Sequence, residues 1–278
     1  MLSYVQNVWK HENKEFVMEA TSYIALSRQS GLKRQLDVVA NNLANMNTSG
    51  FKGEKMMFVE HLTKSVGGHR PISEKITYVR DIATVRDFSK GPLESTGNPL
   101  DLGVAGEGFF TIKTDLGDRY TRNGRFQLDQ DGQLVNQQGF PVMAEGGQPI
   151  FFAPGDTNIT VSQDGTISTE NGELGKVSLV KFNNEQVLRP GAGGLFSIDR
   201  PRIDNAIEGD GDDDINGLFA QVERPNIKQG ALEGSNVMPI IEMSKMIAVH
   251  RAYDSVRSLV EREDDRMLQM VRTMAKVG

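Results

Sequence analysis

Two groups of residues have the types needed for metal or proton chemistry. They are the four histidines, His11, His61, His69 and His250, and the carboxylates of EGDGDDDING, Glu208 to Gly217. A zinc centre needs ligands whose spacing brings them to one point, as two histidines one helical turn apart do. The four histidines sit on different segments and none has that spacing to another. His250 falls beside an apolar helical stripe, where a solvated or interface histidine is the expected reading. Asp210, Asp212 and Asp214 alternate as calcium ligands do, but Ile215 stands where the sharp turn needs glycine, and Gln221 where a bidentate glutamate would close the sphere. DQDG, Asp129 to Gly132, is shorter and reads as a hairpin turn.

Nucleophilic and cofactor chemistry find no better support. The chain has no cysteine, which excludes disulfides, thiolate nucleophiles and Cys-ligated metals together. Gly103, Gly106 and Gly108 precede a β-forming run, so they do not make a dinucleotide-binding turn, and GAGGLF from Gly191 lacks a phosphate-loop lysine. There is no G-x-S-x-G elbow. The expectation is a protein that is not an enzyme and holds no cofactor or metal. A single tryptophan argues against an aromatic stacking platform, and a net charge of −6 with mixed signs argues against a nucleic-acid partner. No apolar run approaches the ~18 residues of a membrane span. Lys10, His11, Glu12, Lys14 and Glu15 interrupt any apolar core of a cleaved signal peptide.

What the chain does carry is pattern. Leu32, Leu36, Val39, Leu43 and Met46 recur in steps of four and three, the signature of one helical stripe, with Thr21 or Ser22 as a candidate cap. Near the other end Met246, Val249, Tyr253, Val256 and Val260 repeat the steps, and Met267, Met270 and Met274 resume them after the break EREDDR, Glu261 to Arg266. Ser235 or Asn236 is the candidate cap of this second helix, and Pro239 suits its first turn. Between the helices the period changes to that of strands. GFFTIKT, GRFQLDQ, GQLVNQQ, NITVSQ, GTISTE and KVSLVKF lie among four turn signals, Asn123-Gly124, Asp131-Gly132, Asp164-Gly165 and Asn171-Gly172.

The fold class is therefore α+β, an all-β centre flanked by terminal helices that pair as a coiled coil. The expected divisions are an extension at 1–17, a helix and turn at 18–63, a linker at 64–75, a β-rich domain at 76–224, a linker at 225–235 and a helix at 236–278. An isolated helix with a narrow apolar seam is marginal in water. The two seams should meet each other, copies of themselves, or both.

The first helix ends in VVANNLANMNTSGF, which holds no charge where an exposed face would normally carry it. Asparagine costs roughly 0.6 kcal/mol relative to alanine inside a helix. Small and amide side chains allow a second surface to approach closely, so Asn41, Asn42 and Asn45 point to a helix covered on more than one face by a neighbouring chain; the alternative is a frayed, Asn-rich helix end. The predicted assembly residues are the two seams with these three asparagines. Asn47, Gly50 and Phe51 form the predicted turn toward the β domain.

These residues also carry a resemblance. LDVVANNLANMNTSGFKGE resembles the N-terminal signature of the flagellar axial proteins, the rod and hook subunits of the bacterial basal body. DFSKGPLESTGNPLDLGVAGEGFFTIKT and RYTRNGRFQLDQDGQLVNQQGFPV are similar to the central region of the proximal (FlgF type) and distal (FlgG type) rod subunits. GALEGSNVMPIIEMSKMIAVHRAYDSV resembles the C-terminal signature, although Met238 stands where many members have asparagine. The resemblance is nearest the proximal type, with the distal type the close alternative, and it implies either a start at Met18 or a disordered tail over residues 1–17. It implies a subunit of a helical tube whose partners are copies of itself, other rod subunits and the flagellar type III export apparatus. It further implies a periplasmic location reached without a cleaved signal peptide and a role in transmitting torque. A calcium-dependent extracellular binding module built on the β domain is the alternative from a different class.

Overall fold

The computed structural model describes residues 24–64, 75–156, 158–198 and 219–275. The expected extension at 1–17, the start at Met18, most of the linker at 64–75 and the acidic loop at 208–217 lie outside the described residues.

The chain divides into two compact units, Met1–Leu43 with Glu54–Val85 and Met238–Gly278, and Ala44–Gly53 with Arg86–Val237. The first contains helix α1, over 24–44, strands β1 (Glu54–Lys64) and β2 (Lys75–Arg86), which pair with each other, and helix α2 (Pro239–Met274). Helices thus flank a β-rich centre, as the periodicity predicts.

α2 stays helical across the seam break, as the expected helix at 236–278 implies, and departs from expectation at its cap. It runs unbroken through Glu261–Arg266, because the charges there are good helix formers that pair along the helix, Arg257 with Glu261 at 2.9 Å and Arg266 with Glu263 at 2.8 Å. Its N-cap is Met238, which makes no side-chain capping bond; Pro239 follows at the first helical position. Ser235 instead accepts from the Val237 amide, and Asn236 is engaged elsewhere.

The second unit holds the remaining strands. A six-stranded sheet is built from β5 (Phe109–Thr114), β6 (Gly117–Thr121), β12 (Leu179–Phe182), β13 (Leu188–Pro190), β14 (Phe196–Ile198) and β15 (Phe219–Gln221), in the order β13-β14-β6-β5-β12-β15. Alternation along β5 sends Phe110 and Ile112 into a core with Leu102, Phe126, Leu134, Val142 and Leu179. Phe109 goes into a second cluster with Tyr120, Phe182 and Phe196. The smaller hairpins follow the turn signals: β7 (Phe126–Leu128) to β8 (Leu134–Asn136) across Asp131-Gly132, β9 (Thr160–Val161) to β10 (Thr166–Thr169) across Asp164-Gly165, and β10 to β11 (Gly172–Lys176) across Asn171-Gly172.

Asn123-Gly124 is different. It closes no hairpin, since β6 pairs with β5 and β7 with β8. Gly124 is needed for close approach, because a Cβ there would stand 1.7 Å from the Leu102 carbonyl oxygen. The stretch 225–235, whose composition marks a linker, contains β16 (Ile227–Gln229) and β17 (Ala231–Glu233). These pair with β4 (Leu102–Val104) and β3 (Leu93–Ser95), and bury Ile227, Ala231, Leu232 and Glu233.

Candidate assembly interface

Within the first unit α1 and α2 are joined by side-chain hydrogen bonds. Val39 of α1 and Val249 of α2 are buried, at 4% and 7% exposure. Leu32, Leu36, Leu43, Met246, Tyr253, Val256 and Val260 are half-buried, while Met267, farther along α2, is exposed; Met46, expected on the first seam, lies instead in the turn that follows α1. Two hydrogen bonds fix the direction of the pair. The Gln29 amide donates to the Tyr253 hydroxyl at 3.2 Å, and the Asn42 amide donates to the Glu242 carboxylate at 3.2 Å. Advancing along α1 from Gln29 to Asn42 retreats along α2 from Tyr253 to Glu242, so the helices run antiparallel. At ~1.5 Å per residue the two spans are about 20 and 17 Å, a close match.

The three asparagines separate in role. Asn41 is exposed. Asn45 is half-buried, and its Oδ1 accepts from the Thr48 hydroxyl at 3.2 Å. Asn42 is 3% exposed and fully engaged: its Oδ1 accepts from the Glu54 amide at 2.8 Å, and its Nδ2 donates to the Glu54 carbonyl at 2.9 Å as well as to Glu242. Its partners lie in its own chain, on the first residue of β1 and in the first turn of α2, and Lys245 completes the group by donating to Glu242.

The chain leaving α1 turns over residues 45–50. Thr48 N–H donates to the Asn45 carbonyl and Phe51 N–H to that of Thr48. Gly50 takes φ +71°, with its amide donating to the Glu233 carbonyl at 2.7 Å. A Cβ on Gly50 would press within 2.5 Å of the Arg122–Asn123 peptide, so both the left-handed conformation and the contact require glycine here. Asn47 is exposed, and Phe51 is half-buried with the Arg86 guanidinium 6.0 Å from its ring centre.

Sequence reasoning missed two features. The first is a short apolar face on α2 opposite its seam: Ile240 is 81% exposed, and Met243 and Ile247 are also exposed. Farther along the same face Arg251, Asp254 and Ser258 replace apolar residues. The i, i+3, i+7 spacing of the first three was the available signal. The second is a buried ionic group in the β-rich unit. The Glu233 carboxylate accepts from Lys52 Nζ at 2.7 Å, the Gly91 amide at 3.0 Å and Arg122 Nη1 at 3.2 Å, with all three charged side chains at 1–2% exposure. Lys52 Nζ also donates to the Ser89 carbonyl, and Arg86 to that of Lys52. Asn236 ties the same segments, accepting from Gly53 N–H and donating to the Asp87 carbonyl. Burial holds the Lys52 ammonium below its ordinary pKa, against the opposing pull of Glu233, and burial also pushes the half-buried Glu185 carboxyl up.

Among the described residues no group of three or more His, Asp or Glu side chains is arranged to hold a metal. His250 pairs on the helix surface with Asp254 at 2.9 Å. No helix among the described residues is long and apolar enough to cross a membrane.

The flagellar basal-body rod protein FlgF of Caulobacter vibrioides is 35% identical over 264 residues, spanning 94% of this chain and all of the relative. The chain belongs to the flagellar basal-body rod protein family. Rod protein FlgF of Mesorhizobium japonicum is 30% identical over 260 residues, 92% of this chain and 98% of the relative. Rod protein FlgG of Buchnera aphidicola (subsp. Schizaphis graminum) is 31% identical over 261 residues, 87% and 95%. Residues 23–52 match the family described as flagella basal body rod protein, 103–169 the flagellar hook protein FlgE/F/G D1 domain, and 228–273 the flagellar basal body rod FlgEFG protein C-terminal region. The two terminal rod-protein matches cover α1 with its turn and β16 through α2, the segments that carry the seams, Asn42, Lys52 and Glu233. The rod proteins are structural, not enzymes.

Proposed function

We propose that this chain is a subunit of the flagellar basal-body rod that polymerises through its terminal helices and transmits torque by packing. The observation that carries the reading is that pairing α1 with α2 leaves Ile240, Met243 and Ile247 of α2 in water, an apolar face on the very element that already carries a buried seam. An apolar stripe on each of two sides of one helix suits a helix with neighbours on both sides. The terminal helices α1 and α2 form the coiled-coil wall of the assembly, and the β-rich centre faces outward. In an array of this kind each subunit makes heterologous contacts, so the two faces meet different partners: other copies and other rod subunits. Similarity to FlgF relatives across most of the chain favours the proximal rod over the distal. The route is the flagellar type III export apparatus, without a cleaved signal peptide, into the periplasm.

The test places charge on each face separately. Leu43→Asp or Val256→Asp is expected to abolish incorporation into isolated basal bodies by disrupting the α1–α2 pair while the β-rich unit stays folded. Ile247→Asp is expected to abolish incorporation with the pair intact. Normal motility in all three variants overturns the reading.

A further inference from the structure

We propose that Asn42 and Glu242 act as a register pin, selecting one axial alignment of α1 against α2 from several that the apolar seams would accept. On α2 the seam positions Met246, Val249, Tyr253, Val256 and Val260 repeat with little change of character over about four turns. Apolar contact is non-directional. Sliding α1 by one or two turns along such a seam exchanges one aliphatic neighbour for another, and burial alone discriminates poorly among these alignments. The inference concerns the single chain and holds whether or not the chain polymerises.

The polar pair discriminates sharply. A slip of one turn is ~5.4 Å, and it carries Glu242 out of reach of an amide that it now meets at 3.2 Å. Asn42 cannot follow, because both ends of its amide are fixed by the Glu54 backbone, Oδ1 by the N–H and Nδ2 by the carbonyl. That reciprocal arrangement also fixes which way round the amide stands and aims its second N–H at α2. Both side chains are buried, Asn42 at 3% and Glu242 at 7% exposure, so a slipped alignment strands an amide hydrogen and half of a carboxylate away from water. A single buried polar contact of this kind is the device by which apolar helix pairs acquire one register, at some loss of stability. The Gln29–Tyr253 bond lies at the other end and is made by longer, less buried groups, so it follows the register that Asn42 sets.

The chain has no cysteine, so introduced pairs report alignment without background. Gln29→Cys is combined in turn with Tyr253→Cys for the observed alignment, Val249→Cys or Val256→Cys for one-turn slips, and Met246→Cys or Val260→Cys for two-turn slips. Each purified full-length chain is oxidised at high dilution. In the otherwise unaltered chain only the 29–253 pair is expected to close efficiently. Adding Asn42→Val with Glu242→Leu, which replaces the polar pair by apolar groups, is expected to speed closure of the slipped pairs at least tenfold while helix content by circular dichroism is kept. Glu242→Gln, which still accepts from Asn42, is expected to keep the 29–253 pattern. The proposal is overturned if the double variant still closes only 29–253, if it closes no pair at all, or if Glu242→Gln scrambles the pattern.

Discussion

Replacing Glu233 by glutamine tests whether the buried ionic group holds the β-rich unit together. The change keeps shape and removes charge. In the native unit one carboxylate serves Lys52 at 2.7 Å, Arg122 at 3.2 Å and the Gly91 amide at 3.0 Å. A glutamine can accept through only one oxygen, and its NH2 group turns a donor toward another donor. Removing one partner of a buried ion pair costs about 3–5 kcal/mol, because the charge left behind stays desolvated. Here two cations are left, so the upper end applies, about 5 kcal/mol against a typical domain stability of about 5–15 kcal/mol. Arg122 keeps a hydrogen bond from Nη1 to the Gly106 carbonyl at 3.1 Å and its place over the Phe109 ring at 4.9 Å, but its charge has no other carboxylate and its buried Nε has no hydrogen-bond partner. Lys52→Met should behave differently. Burial already lowers the Lys52 pKa, which means that the charged form is disfavoured there. The substitution removes that charge along with its interactions and leaves Glu233 bonded to Arg122 and Gly91, for a loss of about 1–2 kcal/mol. Urea unfolding followed by near-ultraviolet circular dichroism measures both. At a slope of about 2 kcal/mol per molar, the midpoint falls by about 2.5 M for Glu233→Gln and by under 1 M for Lys52→Met. The double variant should lose less than the sum. A loss under about 1 kcal/mol for Glu233→Gln, or a larger loss for Lys52→Met, refutes the reasoning, since either result removes Glu233 from the centre of the group.

Two further outcomes follow from single sites in the same unit. Gly124→Ala drives a methyl group to 1.7 Å from the Leu102 carbonyl oxygen; backbone must move on one side or the other, and the expected loss is about 3 kcal/mol by thermal or urea unfolding, with an unchanged midpoint counting against the close approach. The Tyr120 phenol is pushed up to about 12 by burial, with Asp118 adding to the effect. The unfolded phenol loses its proton near 10 while the folded one keeps it, so folding is disfavoured progressively as pH rises from 10 toward 12. A phenolate absorbance titration should show a late step that is missing in Tyr120→Phe; an ordinary step in its place contradicts the burial argument.

The parts of this fold that were legible in sequence are those set by local period. Both terminal helices, six strands and three hairpin turns follow from steps of three and four, alternation, and Asn-Gly or Asp-Gly pairs. What failed depends on partners far along the chain. β16 and β17 are three residues each, too short to show a period, and they exist because β4 and β3 offer edges more than a hundred residues upstream. Lys52 in GFKGE reads as a solvated surface lysine, since lysine is almost never fully buried unless paired. Its pair, Glu233, lies 181 positions away. Asn123-Gly124 has the letters of a hairpin turn, yet its glycine answers to a backbone that happens to pass beside it. Glu261 to Arg266 breaks an apolar seam without breaking a helix, because the seam reports partners and the helix needs only its own residues.

The asparagines join these two kinds of information. Three in one helix looked unfavourable together, and composition pointed to a helix covered on more than one face by a neighbouring chain. The structure gives them separate environments, and the buried one repays the helix penalty of roughly 0.6 kcal/mol with three hydrogen bonds that no aliphatic side chain could make. The division of labour on α2 is parallel. Its seam and its exposed face are both apolar and so cannot by themselves tell one neighbour from another. On the seam, Glu242 supplies the discrimination. On the exposed face the limit comes from extent: the patch begins at Ile240 and gives way after Ile247 to Arg251 and Asp254, a length of about 10 Å along the helix. Under the proposed assembly, a neighbour displaced by two turns would press apolar surface onto those charges and desolvate them, so the charges that end the patch would limit that neighbour's height on the helix as the polar pair is proposed to limit α1.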